Sequence, residues 1–456
     1  MSIVNFDRVF FAFSIGSHII LVVISMVLAL LVSIVELLAI RRNDELYEKI
    51  SRRLAKTLII IFAIGTASGT LIAVELFALF PGFMSVVGYV SILPFYSEVF
   101  AFFLEAIALV MYVYFWDRFK NRYSHWLLSV MVVVGTAASA IFITMINAWM
   151  NTPVGFNIHA YLTTGVLTGI NPWAVFNAPS TWSEEFHVVT TTYAAGGFLM
   201  IAFFSYFYLK GKGVARVASK ALLKISTAIS GFFIVLAGLS GTLTASMLIV
   251  EQPLKYAAIE LNLHSSANAA ETIGGIFSHG KILDAITIPH LQSLLAFPLT
   301  LGKGTVPGLN LFPNQSLWPP LFIHLTFDVM VLGGTLIGLF AFFVILGYLL
   351  HKDPYTHRFV VAGGIISGIL GLLVYESGWV TDEVGRQPWI IYNVMKVSQA
   401  ANTSPSIVPL GIAMIIFYLV AIPFTIYYTA KTVNFREFND EPTDEKRGGE
   451  VNVPGR

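Results

Sequence analysis

Nine stretches of the chain read as nearly unbroken apolar runs, near positions 9–40, 57–80, 94–116, 126–150, 186–209, 221–250, 321–350, 359–380 and 407–430. A bilayer's hydrocarbon core of about 30 Å takes about 20 apolar residues in a helix, so each run predicts a membrane-crossing helix. Lipid offers no partner to a backbone amide, and a helix satisfies its own. Two connections are long, 151–185 and 251–320, and loops of that length in a compact protein are usually functional or disordered. Residues 1–438 therefore read as a single all-α domain, a polytopic membrane protein of about nine transmembrane helices in a bundle. Residues 439–456, with their Asp, Glu, Pro and Gly, read as a disordered cytoplasmic tail.

Placement of charge supports the count and gives it a direction. Of the 27 Lys and Arg residues, all but Arg8, Lys255, Lys281, Lys303, Arg386 and Lys396 fall after odd-numbered spans. One missed or invented helix would scramble that alternation. By the positive-inside rule the amino terminus lies outside, the carboxyl terminus lies in the cytoplasm, and both long loops face outward. The first run is longer than a signal peptide's core and lacks a small-residue cleavage site, so it reads as a retained helix.

Composition narrows the chemistry. Hydrophobic residues make up 56% and charged residues 12%, against roughly a quarter charged in an average soluble domain, which excludes a soluble enzyme. There is no basic domain to hold phosphates, so nucleic-acid binding has no support. The absence of cysteine removes thiolate-held iron–sulfur clusters, c-type haem attachment and disulfides. A redox metal would have to be held by His, Met or a carboxylate.

Ionisable groups inside spans cost several kcal/mol each unless they meet a partner, a cofactor or water. His18 lies about three turns into span one from the outside. His187 opens span five, Met330 lies about two turns into span seven, and Glu383 follows span eight just outside. Four candidate iron ligands from four helices thus converge on the outer leaflet, the depth at which haem would sit between helices. Each also has a structural alternative: either His bonded to a neighbouring carbonyl or hydroxyl, Met330 as packing, Glu383 as a cap or a partner of Arg386. Span three carries Glu98 at the outer level and Glu105 near the membrane centre, on one helix face. A mid-membrane carboxylate with no basic residue in its helix suits a proton relay; a protonated glutamate bonded across helices is the alternative. Glu75 and Glu376 fit either reading.

Other residues carry a family resemblance. Glu383-Val-Gly-Arg-Gln-Pro-Trp389, preceded by Glu376-Ser-Gly-Trp379, resembles the signature after the eighth helix of cytochrome bd oxidase subunit I. In chain order, further segments agree: Arg8 with Phe11-Ala-Phe and His18; Ala101-Phe-Phe-Leu-Glu105 with Trp116-Asp-Arg118; Asn147-Ala-Trp-Met-Asn-Thr-Pro153; Phe186-His187 with Tyr193; Gln252-Pro-Leu-Lys255 with Ala257-Ala-Ile-Glu260; and Phe327 with Met330. The resemblance runs from about residue 5 to 430 and covers all nine spans. It implies a terminal respiratory oxidase in a prokaryotic plasma membrane that oxidises membrane quinol and reduces O2 to water. His187 and Met330 would be the axial pair of a low-spin haem b that accepts electrons without binding oxygen. His18 and Glu383 would serve two high-spin haems, a second b and a d-type chlorin or a substituting b, with Glu98, Trp379 and Arg386 in their pockets. Lys255 and Glu260 would form the quinol site in the external loop 251–320. Glu105 with Ser139 would resemble the family's proton path from the cytoplasm. A second membrane subunit and small accessory subunits would be the partners.

The chain departs from the family pattern in two places. Asp328 stands two positions before Met330, where relatives commonly carry Arg, so either the haem beside it has a lowered potential or Asp328 is neutral or paired. Glu98 lies seven residues before Glu105 rather than eight, and a one-residue slip turns a helix by about 100°. Two rival readings remain: a divergent haem-binding paralogue that lacks quinol oxidation or O2 reduction, and a secondary transporter. The transporter has no need of His18, His187 and Met330 at one depth.

Overall fold

In the computed structural model, residues 3–439 are described. The expected disordered tail, from Asp440 onward, lies outside the described residues. Among them, nine helices are long and apolar enough to cross a membrane. They are span one (Ile3–Arg42), two (Glu45–Leu79), three (Ile92–Tyr114), four (Arg122–Asn151), five (Thr181–Lys210), six (Gly213–Glu251), seven (Ile323–Leu349), eight (Arg358–Gly385) and nine (Val408–Thr432). Several start earlier than hydropathy alone indicates, because polar residues cap them. The Asp44 carboxylate accepts from the amides of Leu46 and Tyr47, and the Asn121 side chain accepts from Tyr123, satisfying amides that a helix start leaves unpaired. Span eight runs to Gly385, so Glu383 lies in its last turn and not beyond it.

Spans one and five are the innermost helices. Within their most apolar windows 67% of residues are buried, against 22% to 33% in the other seven. Small residues permit the close approach that membrane helices use in place of a hydrophobic driving force. A Cβ on Gly196 of span five would stand 2.7 Å from Cβ of Val27 in span one, and one on Gly368 of span eight 2.7 Å from the Phe198 carbonyl of span five.

The long loop between spans six and seven is ordered. It opens with a short helix, Pro253–Ile259, and continues into an antiparallel hairpin of β1 (Glu271–Ser278) and β2 (Lys281–Ile288). His279 and Gly280 both have positive φ, the two-residue turn that suits the twist of a hairpin. The hairpin is seated on span seven. The Gly274 amide donates to Asp328 Oδ2 at 2.6 Å, and His324 lies 2.7 Å from the Ile259 carbonyl through Nδ1 and 2.8 Å from the Gly274 carbonyl through Nε2. His324 Nε2 is also 3.6 Å from Asp328. Asp328 is therefore a paired acid. A second small ladder, β3 (Trp389–Ile391) with β4 (Met395–Lys396), follows span eight.

Candidate functional site

The candidate ligands are built alike. His187 Nδ1 lies 3.0 Å from Ser240 Oγ on span six. Ser240 donates its own hydrogen to the Ala237 carbonyl at 3.0 Å, so its oxygen is left to accept from Nδ1–H, and the Nε2 lone pair is free for a metal. His18 Nδ1 lies 2.9 Å from Ser68 Oγ on span two, and Ser68 in turn meets the Tyr418 hydroxyl of span nine at 2.8 Å. Each candidate axial side chain faces a glycine on the neighbouring helix. A Cβ on Gly241 would stand 3.5 Å from the His187 ring, one on Gly69 3.4 Å from the His18 ring, and one on Gly378 3.1 Å from Met330 Sδ.

Span eight connects them. Its Gly378 faces Met330 of span seven, and Glu376 Oε2 would stand 3.3 Å from a Cβ on Gly16 in span one. Trp379 packs in a cluster with Ile15 and Ile19 of span one and Ala195 of span five. The same helix ends in a polar knot. Asp382 accepts from Asn147 at 2.7 Å and pairs with Lys255. Arg386 donates to Asn147 at 2.8 Å and to Asn151 at 3.0 Å, and pairs with Glu383. Asn151 also donates to Glu184 of span five at 3.0 Å. Spans four, five and eight and the start of the external loop are thereby tied together at the depth of Glu383.

Lys255 and Glu260 share the short helix Pro253–Ile259 and its cap but point apart. Lys255 passes alongside Gly385 to Asp382. Glu260 faces Glu271 of β1 and Asp328, and burial, then Glu271, then Asp328 push its carboxyl well above the usual range. Burial and then Asp328 raise Glu271 to about 7, with His324 opposing. Glu260 Oε2, in a residue 7% exposed, has no partner among the described residues, and the buried Gln292 amide lies against the Tyr256 hydroxyl. Buried polar atoms without partners mark a place where something else is expected to bond.

On span three, Glu98 accepts from Ser139 of span four at 2.9 Å. Glu105 packs against Gly135 of span four, four residues before Ser139, where a Cβ would stand 2.8 Å from its own Cβ. Glu75 accepts from Ser14 at 2.8 Å.

Comparison with known proteins now adds its part. Residues 6–436 match the family model for cytochrome bd terminal oxidase subunit I. The chain belongs to that family. It is 34% identical to a putative cytochrome bd menaquinol oxidase subunit I of Bacillus subtilis over 96% of this chain and 97% of the relative. A second Bacillus subtilis protein, a cytochrome bd ubiquinol oxidase subunit 1, is 28% identical over 88% of this chain and 86% of that one. The solved bd oxidase of Geobacillus thermodenitrificans contains a chain of the same fold, with TM-score 0.86, 33% identity, and coverage of 97% of this chain and 99% of that one.

Cytochrome bd oxidases carry haem, and the residues of this subunit I fit it. Two imidazoles with Nδ1 tied back to hydroxyls, a thioether and a carboxylate form a donor set suited to haem iron. The sequence reading missed Asp382, Glu184, Glu271, Gln292 and His324. Asp382 stood beside Glu383 in the family signature, and an acid there signalled a buried cation partner; the loop residues gave no signal at all.

Proposed function

We propose that this chain is the haem-bearing, quinol-oxidising subunit of a cytochrome bd-type terminal oxidase, acting beside a second membrane subunit in a prokaryotic plasma membrane. The observation that carries this reading is the repeated ligand geometry. His18, His187 and Met330 each face a glycine, and each imidazole is anchored through Nδ1. His187 and Met330 would hold a low-spin haem b; His18 and Glu383 would serve two high-spin haems, a b and a d or substituting b, beside Glu98, Trp379 and Arg386. When bound, haem supplies iron that carries single electrons and, where a coordination position is open, reduces O2 to water.

The protein's own groups handle protons and orientation. Quinol enters at the loop face with the amino terminus outside. Glu260 and Glu271 take its protons, because a carboxylate accepts a hydroxyl proton, and the buried Gln292 amide, which also meets the Tyr256 hydroxyl, offers its remaining bonding capacity to the head group. Lys255, locked to Asp382, fixes the loop against span eight and lends its charge to the site. Glu105, followed by Glu98 with Ser139, carries protons inward from the cytoplasm.

The test is a reduced-minus-oxidised spectrum of the purified oxidase. Low-spin b bands with a far-red chlorin band are expected, and b bands alone would make the third haem a b. His187→Ala is expected to abolish the low-spin b signal; an unchanged spectrum refutes the assignment.

A further inference from the structure

At the opposite end of the bundle from the loops, a second polar cluster is sealed inside spans one to four. His125 of span four and Glu36 of span one are 3% and 5% exposed. His125 Nδ1 lies 2.6 Å from Glu36 Oε1, and Nε2 lies 2.9 Å from the carbonyl of Tyr112 in span three. That carbonyl only accepts, so Nε2 carries a hydrogen. The 2.6 Å contact then requires one proton between two acceptors, held either by the carboxyl or by the imidazolium. Glu36 and His125 together store a single proton with two places to sit. The Tyr112 hydroxyl also faces the Glu36 carboxyl.

The surroundings have a direction. Tyr112 stacks on the His125 ring at 4.5 Å and Trp116 lies at 4.6 Å. Outside that layer the Arg52 guanidinium sits 5.0 Å over Trp116 and binds Asp117, which is open to solvent and held below its ordinary carboxyl range by Arg52. Inward, Tyr112, Glu105 and Glu98 recur every seven residues on span three, and His125, Ser129, Thr136 and Ser139 follow steps of four, seven and three on span four. Spacings of three, four and seven share a helix face, and the two stripes meet at Glu105 against Gly135 and at Glu98 with Ser139.

We infer that the Glu36–His125 pair is the loading station of the inward proton path. A proton arriving from the Asp117 side protonates the pair, and the proton already held leaves toward Glu105, so the pair's charge is restored at each passage. This rests on the reading of Glu105 as the uptake route. The Arg52–Trp116 layer is the covering that a proton must pass.

The experiment uses the intact oxidase in proteoliposomes and records proton uptake and O2 consumption, with haem content and anaerobic haem reduction by quinol as controls. Glu36→Gln is isosteric and removes the exchangeable carboxyl proton. It is expected to slow uptake and O2 consumption at least tenfold while haem content and anaerobic reduction stay at wild-type levels. Glu36→Asp is expected to recover more of the rate than Gln; a purely structural pair predicts the reverse, since Gln keeps the shape and Asp does not. Wild-type uptake in Glu36→Gln, alongside slowed uptake in Glu105→Gln, overturns the loading station and leaves the Glu105 route standing. Wild-type uptake in both variants overturns the two together.

Discussion

Glu271 is raised to about 7 by burial and by the like charge of Asp328, which makes it the loop carboxyl that changes state near neutrality. Below that pH it holds a proton and cannot take one from quinol; above it the carboxylate is free. Quinol oxidation is therefore expected to rise as pH increases through about 7, and in Glu271→Gln that limb is expected to vanish while haem content stays intact. Steady-state quinol oxidation between pH 5.5 and 8.5 (a range of about one and a half units either side of the shifted value) checks this; an unaltered limb in the variant removes Glu271 from the proton-accepting step. At the same scale, legibility followed solvent. His18, His187 and Glu105 stood out because polarity inside an apolar run has few explanations. Glu271, Gln292 and His324 lie in or beside a loop where polar residues are ordinary, and only folding shows that Gln292 is buried. Spacing did not show that Ser139 meets Glu98, since it gives the face of a helix but not which partner stands opposite at each turn.

Helices and hairpin show where hydropathy stops being a guide. All nine spans were readable, yet span eight continues past its apolar run because Thr381 and Asp382 find partners in neighbouring helices and Glu383 pairs with Arg386 at the helix's own end, rather than with water. The hairpin went unread: its strands are eight residues each, too weakly alternating to separate from loop. Its seat on span seven also explains the departure at Asp328. The acid that stands where relatives commonly carry Arg accepts the Gly274 amide and faces His324, so it fastens the hairpin two residues before Met330. A hydrogen bond to a charged group contributes about 1.5–3 kcal/mol. Asp328→Ala is expected to loosen the hairpin by about that amount, speeding tryptic cleavage at Lys281 by tenfold or more and raising the KM for quinol, with the low-spin haem spectrum retained. Cleavage at the wild-type rate would show that the hairpin is held by other contacts.

The whole molecule arranges these parts along one axis. The carboxylates of the loop, the ligand set beneath them, the Glu98–Glu105 stripe and the Glu36–His125 pair succeed one another from one face of the bundle to the other, around innermost spans one and five. Under the proposed function such an order would separate charge without a pump, because protons would leave quinol at the loop face while those needed to make water would arrive from the opposite face. Each elementary charge moved against 100 mV represents about 2.3 kcal/mol. In the orientation proposed from the bias of Lys and Arg toward the connections after odd-numbered spans, the loop face lies outside. Right-side-out membrane vesicles given quinol are accordingly expected to acidify their medium by as many protons as electrons reach oxygen, and inverted vesicles to alkalinise theirs by the same amount. Twice as many protons would mean that the chain moves protons by a pump as well as by placement; acidification by inverted vesicles would turn the molecule over in its membrane.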